Sequence, residues 1–175
     1  MDVCTWKPTE RSAQRARYHR RMKFAQLHAG QVIEVGPYVV TEAEVVQFAT
    51  TYDPQWFHTD PEAARQGPFG GLIASGWHTC SIAMRMAADH VLNGSESFAS
   101  PGVSNIRWQH PVRPGDSLTL RILINEVRRS TKRPTLGVVE WTWRLSNAEG
   151  RQVLETDSTS LFDLQQSAPK SETPT

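Results

Sequence analysis

Cysteine is almost missing from this chain: Cys4 and Cys80 are the only two among 175 residues. Two thiols, one in an irregular N-terminal stretch and one in an apolar segment, cannot build a disulfide framework or a thiolate zinc site, so no metal is expected. A reducing compartment follows as the expectation, with the cytoplasm as its ordinary form. Long apolar runs are missing too. No stretch approaches the roughly 20 apolar residues that span a bilayer, and the N-terminus lacks the apolar centre of a secretion signal. A soluble protein without a membrane partner is expected. Net charge is the third absence, since nineteen Lys and Arg against eighteen Asp and Glu leave +1. No field of one sign would draw the molecule to nucleic acid. A small-molecule partner is the better expectation.

Aliphatic side chains are scarce at both ends. Residues 1–21 carry Lys7, Arg11, Arg15, Arg17, Arg20 and Arg21 with little that can be buried against the entropy of ordering. Residues 165–175 (QQSAPKSETPT) are polar, Pro-containing and without periodicity. The sequence therefore predicts a disordered basic extension over 1–21, one folded domain over 22–164 and a disordered tail from Gln165. One core is what this length supports.

Within the domain, Gln31 to Val40 reads as a strand broken at Gly36-Pro37, and Thr41 stands three residues before Glu44 as a capping box. A helix from Glu42 to about Tyr52 should follow, burying Val45, Val46, Phe48 and Ala49 as one stripe. Pro54 forces Asp53 out of helical geometry, so Asp53 to His58 is expected to be a connecting loop. Thr59-Asp60-Pro61-Glu62 then starts another short helix. From Trp77 to Asn93 nearly every side of a helix is apolar, which predicts a segment buried all round. Ser75-Gly76 caps its start and Asn93-Gly94 stops it.

After that helix the period changes to two. Leu118, Leu120, Ile122 and Ile124 alternate with Thr119, Arg121, Leu123 and Asn125, and Val139, Trp141, Trp143 and Leu145 with Glu140, Thr142 and Arg144. Turns fall at Arg113-Pro114-Gly115-Asp116 and Asn147-Ala148-Glu149-Gly150. With further strands over 102–112 and 151–162, about four antiparallel strands must cover one helix. The fold class is α+β.

The loop Tyr52-Asp53-Pro54-Gln55-Trp56-Phe57-His58 holds a carboxylate and an imidazole five residues apart. On a continuous helix they would diverge by about 140°, so only the turn at Pro54 lets them converge. Histidine trades protons near neutrality, and an ionised Asp can orient a water or hold an imidazolium, so together Asp53 and His58 can activate water. The plain structural alternative stays open: Asp53 caps a turn and His58 packs between aromatics. A second element adds weight. The first amides of a buried helix lack internal partners and carry partial positive charge. At Gly76 a thioester oxygen could approach such an amide closely, with charge growing on that oxygen stabilised there. Ordinary capping is the alternative for Ser75-Gly76, and Gly67 to Gly71 is not a phosphate loop because no Gly-Lys-Ser or Gly-Lys-Thr follows.

These residues resemble a known family. The loop YDPQWFHTDPEAA and the segment GGLIASGWHT look like the hydratase signature of MaoC-like dehydratases and (R)-specific enoyl-CoA hydratases. Members commonly read Gly-Asp-x-Asn-Pro-x-His-x-Asp, so Asp53, His58 and Asp60 fall on matching positions. The Asn-Pro of the pattern is Gln55-Trp56 here, and a Ser found farther along the helix in some members is Met84. The resemblance implies a hot-dog fold, a curved sheet around a central helix. It implies Asp53 and His58 as the water-activating dyad and Gly76 as the backbone donor to a thioester carbonyl. It further implies a homodimer or higher homo-oligomer and an acyl-CoA substrate, with acyl carrier protein as the other carrier; no cofactor beyond the coenzyme A of the substrate is expected.

Phe57, Ser75 and Trp77, the neighbours of His58 and Gly76 within those motifs, are taken as substrate-binding candidates. So is Arg133, which with Arg128, Arg129 and Lys132 could meet the phosphates of coenzyme A or simply sit on a solvated hairpin tip. Two other functions remain open: a thioesterase on the same fold, in which water is aimed at the carbonyl carbon, and a catalytically silent acyl-CoA binder.

Overall fold

The computed structural model describes residues 22–165. The tails expected over 1–21 and 165–175 lie outside the described residues, Gln165 apart.

Strand β1 (Val32–Val39) is followed by α1 (Glu42–Tyr52), α2 (Trp56–Thr59), α3 (Pro61–Gln66) and α4 (Gly76–Ala87). Then come β2 (Ser97–Arg107), β3 (Ser117–Arg129), β4 (Leu136–Ser146) and β5 (Gln152–Asp163). The five strands form one antiparallel sheet in the order β1-β3-β4-β5-β2. With α4 packed against it, this is the expected α+β arrangement.

The period-two pattern explains the core. Leu118, Leu120, Ile122 and Ile124 of β3 and Val139, Trp141, Trp143 and Leu145 of β4 are all buried. They meet Ile82, Ala83, Met86 and Ala87 from one side of α4 in a single apolar cluster. The buried Trp141 indole N–H donates to Ser160 Oγ across the β4–β5 pair at 3.1 Å, so its polar atom is satisfied. β1 reaches β3 through a bulge between Val35 and Tyr38. Gly36 is needed there: its φ is +142°, and a Cβ on it would lie 2.9 Å from the Leu118 carbonyl oxygen.

Helix α1 keeps the expected capping box. The Thr41 hydroxyl accepts from Glu44 N, and the Glu44 carboxylate accepts from Thr41 N. Its stripe is narrower than expected, with Val45 and Ala49 buried and Val46 and Phe48 only partly covered.

Three expectations need correction. His58 is not in an open loop, because Trp56–Thr59 closes one helical turn after Pro54. The long helix is not buried all round: α4 ends at Ala87, continues as a wider π turn over Ala88–Leu92, and exposes Trp77 (58%) and Met84 (49%). The sheet covers only one side of α4, and that side takes the small and aliphatic residues. Finally, the strand expected from Gly102 begins at Ser97 and stops at Arg107. β2 is an edge strand with nearly every residue exposed and three register shifts against β5, so no alternation marks it in the sequence. Among the described residues no helix is long and apolar enough to cross a membrane.

Candidate active site

Asp53 ends α1, where its N–H still donates to the Ala49 carbonyl, and Pro54 stops the helix at that point. The chain turns and α2 begins, with His58 N donating to the Gln55 carbonyl. This corner folds the five-residue step back on itself. His58 Nε2 comes to rest 3.4 Å from Asp53 Oδ2. That separation exceeds a good hydrogen bond, but one water placed beside the pair can reach both atoms.

Each partner is held from behind. His58 Nδ1 lies 2.8 Å from the Ile73 carbonyl oxygen. A carbonyl only accepts, so Nδ1 carries a proton, and Nε2 is the ring atom that faces the carboxylate. Phe57 packs edge-on against the imidazole at 4.4 Å between centroids. On the carboxylate, Ser75 Oγ donates to Oδ2 at 2.6 Å and Gln55 Nε2 donates to Oδ1 at 2.8 Å. These two bonds, Ser75 first, hold Asp53 below the ordinary Asp range, against the opposing effect of its partial burial. Asp53 is therefore an ionised acceptor at pH 7, with His58 Nε2 facing it.

Ser75 also caps α4, its hydroxyl oxygen accepting from Trp77 N at 3.3 Å. The next residue is Gly76, and among the described residues no acceptor takes its N–H. One serine thus ties the carboxylate of α1 to the positive end of α4. A pocket of about 300 Å³ opens here, lined by His58, Ile73, Gly76, Thr79 and Trp108 among others.

The structure brings Asp53, His58 and Gly76 together and treats the remaining candidates differently. Ser75 is 1% exposed with its hydroxyl committed to Asp53, so it positions the carboxylate and does not reach a ligand. Phe57 supports His58 from the side. Trp77 does not line the pocket with His58 and Gly76 but a separate apolar cavity of about 340 Å³. Arg133 is exposed in the turn between β3 and β4. The Ala74 N–H beside the dyad bonds to Val112, five residues before β3 begins, so the thirteen residues of β3 run between the site and Arg133. The protomer does not bring Arg133 to the dyad.

The reason for glycine at 76 also changes. A Cβ there would sit 2.6 Å from Trp108 Cε2, so the missing side chain makes room for an indole. Trp108 was legible only as one position of the strand expected over 102–112, and its contact with Gly76 has no sequence signal. Gln55, in contrast, occupies the position of the family's Asn, and its amide bonds the dyad carboxylate. A buried histidine went unremarked as well. His78 stacks on Phe48 at 4.7 Å, and burial pushes its pKa down against the opposing pull of Glu44.

Comparison with known proteins places the chain among relatives of one family. Over 141 residues the chain is 28% identical to protein YdeM of Bacillus subtilis, covering 81% of this chain and 99% of that one. It is 36% identical over 90 residues to 3-hydroxyacyl-thioester dehydratase Z of Mycobacterium tuberculosis, a match to half of this chain and 60% of that protein. The crystal structure of the MaoC-like dehydratase from Rhodospirillum rubrum superposes with a TM-score of 0.73 at 32% identity, over 79% of this chain and 94% of that one. The MaoC like domain model matches residues 23–142, which include Asp53, His58, Ser75, Gly76 and Trp108. The chain belongs to the MaoC-like dehydratase domain family, with its hot-dog fold.

Proposed function

We propose that this protein is an acyl-CoA hydratase/dehydratase that adds water to a 2-enoyl thioester, or removes it from a 3-hydroxyacyl thioester, through Asp53 and His58. The observation that carries this reading is the 3.4 Å approach of the His58 imidazole to an ionised carboxylate, which Ser75 ties to the unpartnered helix N-terminal amide of Gly76. The thioester carbonyl accepts from the Gly76 N–H, which polarises C3. Water donates one O–H to Asp53 Oδ2 and the other to His58 Nε2 and attacks C3 with its free lone pair. Nε2 takes the proton, the enolate charge rests on the Gly76 amide, and the same proton passes to C2. Net addition of one water is complete, and dehydration is the reverse. No resident cofactor takes part, and coenzyme A enters as the substrate's carrier.

A homodimer is part of the same proposal. Among the described residues nothing pairs with the outer edge of β2, which exposes Phe98 (56%) and Val103 (57%), and Val103 lines one cavity with the exposed Trp77 and Met84. A second copy pairing along that edge would cover both the free backbone groups and the apolar patch.

The test is a panel of crotonyl, longer and branched enoyl-CoA thioesters, followed by loss of enoyl ultraviolet absorbance and by release of thiol. Hydration is expected without thiol, and Asp53→Asn or His58→Ala should each lower kcat/KM by about 100-fold or more. Thiol release without hydration would make it a thioesterase. Neither signal would leave an acyl-CoA binder.

A further inference from the structure

Trp108 lines one cavity and packs against a wall residue of another. One side of it lines the dyad pocket with His58, Gly76 and Thr79. It also touches the second cavity's own wall: its indole meets Trp77 edge-on at 5.5 Å. Trp77 and Cys80 line that second cavity together with Met84, Val103, Trp143 and Leu154, and the two cavities share no lining residue. The second cavity is overwhelmingly apolar and, at about 340 Å³, comparable to the dyad pocket at about 300 Å³.

The indole is also wedged. Its six-membered ring occupies the space that a Cβ on residue 76 would need, 2.6 Å from Cε2 and 2.8 Å from Cδ2. It therefore lies directly against the residue whose N–H receives the thioester carbonyl in the proposed reaction. An acyl chain leaving that point toward the second cavity would meet the ring. A chain staying on the dyad side would not.

We propose that Trp108 is the specificity-determining wall of this site, closing the dyad pocket against the apolar cavity between α4 and the sheet, so that the native substrates are short-chain acyl thioesters. This rests on the reading of the dyad as a hydratase site. Removing the indole joins the two cavities and opens room for a longer chain beyond the reacting carbons. Each methylene accepted or refused by an apolar wall changes specificity by about tenfold or more, so the effect is large enough to read.

The experiment measures kcat/KM for crotonyl-CoA and 2-octenoyl-CoA, and by calorimetry the Kd of the saturated butyryl-CoA and octanoyl-CoA, in the wild-type chain and in Trp108→Phe, Trp108→Leu and Trp108→Ala. Wild type should favour the four-carbon chain by more than about tenfold. Trp108→Ala should shift the ratio toward eight carbons by at least as much, with Phe and Leu between. The graded series covers the case in which the alanine variant does not fold. Equal use of both lengths by wild type, or a ratio unmoved across the series, overturns the proposal. If no chain hydrates any thioester, the hydratase reading fails, while the ratio of the two Kd values still decides about the wall. Equal affinities, or no binding of either thioester, overturn it.

Discussion

Removing the Ser75 hydroxyl separates two tasks that one atom performs. Ser75 Oγ donates to Asp53 Oδ2 at 2.6 Å and accepts from Trp77 N at 3.3 Å, so Ser75→Ala loses a carboxylate bond and a helix cap together. Hydrogen bonds to charged groups are worth about 1.5–3 kcal/mol, and caps about 1 kcal/mol. If the first term is spent on holding Asp53 ionised and aimed, kcat/KM falls by roughly 10- to 100-fold. The acid limb of the pH profile moves up, because the bond that most lowers the Asp53 pKa is gone. Glycine is nearly as good an N-cap as serine, differing by a few tenths of a kcal/mol. Ser75→Gly therefore restores most of the helix start and none of the carboxylate bond. The assay is crotonyl-CoA hydration from pH 4 to 8 on both variants, with urea unfolding alongside. Activity lost equally in both, with stability recovered in Ser75→Gly, is the expected result. Activity returning with glycine would show that the serine only caps the helix, and wild-type rates with an unmoved acid limb in both would refute the reasoning outright.

Gly76→Ala places a methyl where the Trp108 ring lies, which should cost about 1–3 kcal/mol of stability and disturb the tryptophan fluorescence. The double variant Gly76→Ala/Trp108→Ala should recover part of that loss, and strictly additive urea midpoints would contradict the contact. Tyr38 donates to Glu44 Oε2 at 3.0 Å, and burial first, then that bond, pushes its pKa up to about 12. A raised folded pKa gives stability that is complete below the unfolded value near 10 and is lost as pH rises through about 12. Urea midpoints taken between pH 9 and 11 should fall for wild type above about pH 10 and change less for Tyr38→Phe.

Much of the fold was legible where one side chain type repeats at one period. β3 and β4 alternate because one face of each is buried, and α1 announces itself through Thr41 and Glu44. The dyad was legible because Asp53, Pro54 and His58 are contiguous and a proline must break the helix between them. What stayed hidden depends on contacts between distant segments. Ser75 reads as a cap from its neighbours alone, and only folding sets it against a carboxylate 22 positions away. Trp108 reads as one more aromatic until β2 delivers it to Gly76. β2 itself has no pattern, since an edge strand with exposed faces and a kink at Asn105, φ +52°, has nothing to alternate. The extent of α4 was overstated because apolar composition cannot say which side a sheet will cover. Trp77 and Met84 are apolar and stay exposed in the protomer.

The central claim concerns one water and one amide, and a crystal structure of the wild-type chain with butyryl-CoA, which cannot be hydrated, tests it most directly. The account predicts the carbonyl oxygen about 2.7–3.1 Å from Gly76 N, with an ordered water bonded to both Asp53 Oδ2 and His58 Nε2 and facing C3. A carbonyl bound away from Gly76, or a water aligned with the carbonyl carbon instead of C3, would contradict it.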